Sequence, residues 1–181
     1  MSNNINNEIS QALQDSGMLK SIGSEIFIQI NVCDAKPELN PFLINTKRIT
    51  YIREFKDGKK KDSIAIFVGQ KMYITDTTDF GLFKCEVGDM IKIGNAELVC
   101  VKGDVVSNKA NFKYLVNFAN IMHLRNFVDN NDSNSNNFTK KSDKDLNKFA
   151  LVTENERIIP VNELFIQDYN ACDDNDSKAN E

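Results

Sequence analysis

The chain has 181 residues, 41% of them hydrophobic and 27% charged, and a formal net charge of −4. No run of 18 apolar residues occurs, and Met1 to Asp15 is polar and Asn-rich without an apolar h-region. These facts argue against a membrane-spanning helix, a Sec-exported disulfide scaffold and a fully disordered chain, and they lead us to expect a cytoplasmic protein.

In chain order, the polar arm 1–16 comes first. Within it Ile5, Ile9 and Leu13 recur at helical spacing, so a short amphipathic helix is expected over Glu8–Gln14. Strand signals then dominate. Glu25-Ile-Phe-Ile-Gln-Ile-Asn-Val32 puts Ile26, Ile28, Ile30 and Val32 on one face. Ile49–Phe55 and Ser63–Val68 are rich in β-branched and aromatic residues, with Asp57-Gly58 between them, which predicts a hairpin. Val68-Gly69-Gln70-Lys71 turns into Met72–Thr75, and Gly94-Asn95 separates Met90–Ile93 from Glu97–Val101. Pro160 lies in a strand-like stretch and predicts a sheet edge. Short strands with regular turns indicate an all-β barrel or sandwich.

The chain also resembles itself. Phe42–Phe55 and Tyr114–Phe127, offset by 72, share Leu43/Leu115, Asn45/Asn117, Ile49/Ile121, Arg53/Arg125 and Phe55/Phe127. Phe42/Tyr114, Ile44/Val116 and Ile52/Leu124 keep their type. The same offset pairs Met18–Lys20 with Met90–Lys92, and Glu25–Ile28 with Glu97–Cys100. Ile64–Val68 then matches Phe149–Thr153 at an offset of 85. The Asn-rich tract about 129–145 takes up the difference and reads as a disordered insertion. Fixed-offset similarity marks duplicated units. The expectation is two tandem copies of a small β-barrel or sandwich-like unit, 17–84 and 85–166, closing as one barrel or as a pseudo-symmetric pair. A disordered acidic tail, 167–181, follows.

Chemistry-bearing motifs are scarce. Cys33, Cys85, Cys100 and Cys172 form no C-x-x-C pair, and His123 is the sole histidine. Structural thiols are therefore expected, and no metal or other cofactor. His123 aligns with Tyr51, which favours a half-buried packing role on a strand. Asn45 and Asn117 precede apolar runs and are expected to bond their own backbone in a turn. Asp76 and Asp79 suit a cation or a turn, yet their counterparts are the apolar Val161 and Leu164. No Ser/His/Asp set, P-loop, dinucleotide fingerprint or zincin motif is present, so an enzyme is not expected.

Charge is uneven. Gly17–Val128 carries 16 Lys or Arg against 12 Asp or Glu, and the acidic arm, 129–166 segment and tail reverse that sign. The basic turn Lys56, Lys59, Lys60 and Lys61, with Lys47, Arg48 and Arg53 close in sequence, forms a candidate phosphate-contacting tip. Arg125 joins it as the counterpart of Arg53.

Ile49-Thr-Tyr-Ile-Arg-Glu54, then Lys113-Tyr-Leu-Val-Asn117 with Ile121, then Ile159-Pro-Val161 follow the order of motifs in LytTR-type DNA-binding domains. Over 42–162 the chain resembles that family, although Asn111-Phe112-Lys113 stands where the family has His-Arg-Ser. The resemblance implies an elongated β fold that puts loops into DNA grooves, with Lys113 on the backbone. Two functions are thus expected. The first is a non-enzymatic interaction or structural module of a larger assembly, docking a protein partner through an exposed edge strand. The alternative is DNA or RNA binding through basic hairpin turns.

Overall fold

The computed structural model describes residue 9 and residues 11–57, 60–75, 84–103, 112–127 and 148–163, giving backbone alone at 55–57, 60–62, 112, 162 and 163. The hairpin tip at 58–59, Asp76 and Asp79, the Asn-rich insertion, Cys172 and the tail lie outside the described residues.

Alternating apolar residues broken by two-residue turns yield antiparallel hairpins. The first is β1 (Leu19–Ile22) with β2 (Glu25–Ile30), turned at Gly23-Ser24. Another is β7 (Met90–Ile93) with β8 (Ala96–Gly103), turned at Gly94-Asn95. Gly23 and Gly94 adopt φ +61° and +57°, the positive φ that such tight turns need. After the first hairpin come β3 (Phe42–Asn45), a 3-10 turn (Thr46–Arg48), β4 (Tyr51–Asp57), β5 (Lys60–Val68) and β6 (Lys71–Thr75). After the second come β9 (Phe112–Val116), a 3-10 turn (Phe118–Asn120), β10 (Ile121–Asn126), β11 (Phe149–Thr153) and β12 (Ile158–Glu163).

The fold is all-β apart from a short N-terminal helix and single 3-10 turns. β4 and β5 pair as the expected hairpin, with Asp57 opposite Lys60. β1, β2 and β3 form a small sheet, and the other strands a large one ordered β10-β11-β12-β8-β9-β4-β5-β6, with β7 also on β8. A single bridge, Val32 to Thr75, links the two. Among the described residues the ends of the large sheet, β10 and β6, do not meet, so of the expected barrel or sandwich the closed barrel is corrected to open sheets. The reason lies at β9, which pairs with β8 on one side and β4 on the other and so carries the sheet from one half of the chain into the other.

Strand periodicity gives the large sheet two buried faces. Ile52, Ile64, Ile66, Leu98 and Leu115 enter one core with Ile28, Ile30 and Ile44 of the small sheet. Their neighbours Tyr51, Ala65, Phe67, Tyr114 and Val116 enter a second core with Leu151, Ile159 and Val161. The helix at 11–15 closes the first core, burying Ile9 and Leu13. That contact is the partner surface so short a helix needs.

Pro160 corrects a second expectation. β12 is interior, between β11 and β8. β8 joins it only from Val161 onward, so the missing N–H falls where β12 is paired to β11 alone. The Tyr114 hydroxyl donates to the Pro160 carbonyl there.

Candidate functional site

The seam between the halves of the chain is built by β4 and β9. Tyr51, Ile52 and Arg53 stand opposite Val116, Leu115 and Tyr114. Ile52 and Leu115 are 1% and 0% exposed. Asn117 locks the end of the seam. Its backbone N–H donates to Thr50 O at 2.9 Å, its Nδ2 donates to Ile49 O at 2.9 Å, and its Oδ1 accepts from Ala119 N at 3.1 Å. Asn120 Nδ2 also donates to Ile49 O, at 2.9 Å. Asn45 caps its own 3-10 turn likewise, accepting from Lys47 N at 3.0 Å. Both asparagines therefore do what their sequence position suggested.

The strands that resemble the seam in sequence sit differently. Among the described residues β10 pairs only with β11, and β3 only with β2. Among those residues each has an open edge. Leu124 on β10 is 42% exposed, Met122 beside it 58%, and Leu43 on β3 45%. His123, expected half-buried, is exposed on β10, because among the described residues no strand covers it as β9 covers Tyr51. An edge with unpaired peptide groups and apolar side chains is the usual template for an added strand.

The basic candidates lie on several elements. Lys47 and Arg48 are in the 3-10 turn Thr46–Arg48, Arg53 on β4, Lys113 on the adjacent β9 and Arg125 on β10. Lys47 Nζ meets Glu25 Oε1 at 2.9 Å, and the bonds from Lys47 and Asn45 hold that carboxyl below its usual range. Lys113 Nζ donates to Cys85 O at 2.7 Å and lies 3.4 Å from Glu86. The Arg53 guanidinium is 5.7 Å from the Phe67 ring centre, and Arg125 donates to Asn126 O at 3.2 Å. Arg48 is exposed, and the side chains of Lys56, Lys59, Lys60 and Lys61 lie outside the description. Lys47 and Lys113 thus already face carboxylates.

Three buried groups have shifted acidities. Cys100 Sγ points to Cys85 O at 3.8 Å, in the first core. The Cys85 thiol is held below its usual value by its bond with Cys100 and by the charge of Lys113, against burial. The Cys100 thiol is pushed up by the same bond and by burial. Cys33, Cys85 and Cys100 form no disulfide among the described residues, and no group of three metal-ligating side chains occurs there. In the second core Tyr51 stacks on Phe67 with ring centres 4.1 Å apart. Arg157 lies 4.9 Å over Phe67 and donates to the Tyr51 hydroxyl at 3.1 Å. Burial raises the Tyr51 phenol, and Arg157 partly offsets this.

Sequence reasoning missed Leu43, Met122, Leu124 and Arg157. The first three read as ordinary strand apolars, and only the sheet order shows which strands lack a neighbour. No protein-family model, curated protein or solved structure matches the chain.

Proposed function

We propose that the chain is a tandem pair of six-strand units acting as a non-enzymatic protein-interaction module, with the outer edge of β10 as its working edge. One observation carries the reading: Ile52 is 1% exposed inside the seam, whereas Leu124, its counterpart 72 residues on, is 42% exposed at an open edge. The two strands are alike in sequence, and among the described residues only β4 has a neighbour on that side.

Several features support the duplication. Apart from a further 3-10 turn at Pro37–Leu39 in the first, each half runs through a hairpin, a strand, a 3-10 turn and three strands. Tyr51 stands opposite Phe67 as His123 stands opposite Val152, at the 72 and 85 offsets of the sequence. Asn45 and Asn117 cap equivalent turns. Ile44 and Ile66 fill the first core as their counterparts Val116 and Leu151 fill the second.

The interaction reading is tested by placing a photo-crosslinking amino acid at Met122 and, as control, at the exposed Lys20. Protein adducts of discrete mass at 122 and none at 20 are expected. Nucleic-acid adducts, or equal adducts at both positions, would refute it, the first in favour of the DNA- or RNA-binding alternative.

A further inference from the structure

We infer that the strand which completes β10 is β3 of a second copy of this chain, so that copies join head to tail. The inference rests on the interaction-module reading and names its partner.

Inside one chain the answer to an open β4 is β9. β10 is the counterpart of β4, and β3 is the counterpart of β9, each 72 residues away. Both counterparts are unpaired on their outer edges among the described residues. Transferring the seam's register sets Leu124 opposite Leu43, as Ile52 stands opposite Leu115. His123 then faces Ile44, and Arg125 faces Phe42. The two side chains at the middle of this imagined seam, at 42% and 45%, are among the large apolar residues the molecule leaves exposed. Their intramolecular counterparts are 1% and 0% exposed. One contact would therefore bury both sides and pair both open edges.

The polar end of the seam transfers as well. Asn117 fixes β9 to β4 through the carbonyl of Ile49. Asn45 is held by the same cap, and its counterpart target is the carbonyl of Ile121 on the neighbouring copy. Its Nδ2 now donates to Glu25 Oε2 at 3.2 Å, a part-buried bond that exchange could replace.

The contact is heterologous. β3 of one copy meets β10 of the next, and each added copy offers a fresh β3 and a fresh β10. Such contacts build rings or open chains rather than two-fold dimers.

Sedimentation velocity of the full chain over about three decades of concentration from micromolar upward tests this. Species growing with concentration are expected for the unmodified protein. Leu43→Lys and Leu124→Lys alter exposed positions, and each alone should leave a monomer with unchanged circular dichroism. Mixed in equal amounts they should form a dimer, since one retains β10 and the other β3. Leu43→Thr and Leu124→Thr serve in the same way should either lysine variant fail to fold. A monomer at every concentration, assembly that survives in a single variant, or a mixture that stays monomeric would overturn the inference. A monomer that still forms discrete protein adducts through position 122 would refute self-pairing and leave the interaction-module reading standing.

Discussion

Asn117 is 3% exposed and serves two tasks, capping its turn and tying β9 to the chain before β4. Replacing it with alanine strands the Ala119 N–H, leaves the Ile49 carbonyl with Asn120 as its remaining side-chain donor, and should cost about 2 kcal/mol in urea unfolding. Asn45→Ala removes a similar cap at a more accessible site and should cost about half as much. Tyr51 sets a pH limit. Burial raises its folded phenol above the ordinary value of about 10, so its contribution is complete below that pH. It is lost as pH climbs through the folded value, because the unfolded chain ionises first. Tyr51→Phe should flatten the fall in melting temperature above about pH 10 relative to the parent. At this scale the sequence was informative where the cause is local. Both asparagines bond within two residues of themselves, so their role is legible. The exposure of His123 is not, since it depends on which strand lies next to β10.

Strands and turns were largely legible, because alternation and glycine turns act over a few residues. The pairings β4–β9 and β12–β8 join segments about 60 residues apart and have no local signature. Gly103 shows what such pairing requires. A Cβ there would overlap the Pro160 carbonyl oxygen, the Tyr114 hydroxyl and Val161 Cα. Gly103→Ala should therefore wedge β8 from β12 and lower stability by about 3 kcal/mol, measured by thermal unfolding. Two positions that the 72-residue offset aligns should also respond unequally. Ile52→Ala removes a buried side chain and should cost about 3 kcal/mol, whereas Leu124→Ala in the dilute protein should cost under about 0.5 kcal/mol. Comparable losses would mean that β10 is covered.

For the whole molecule, one sheet carries two cores because β9 continues the second half into the first. The sequence similarity gives no sign that this joint uses β4 and β9 while leaving β10 and β3 open. On the tandem reading proposed above, that asymmetry follows from covalent order: two units in one chain share one joint and leave two edges without a neighbour among the described residues. The most direct test is amide hydrogen exchange read separately for 121–126, 42–45 and 51–54 across a concentration series. Slow exchange in 51–54 at every concentration is predicted. The outward amides of β10 and β3 should exchange fast when dilute and slow together as concentration rises. Protection of β10 equal to that of β4 in the dilute protein, or exchange in β10 and β3 that ignores concentration, would contradict the account.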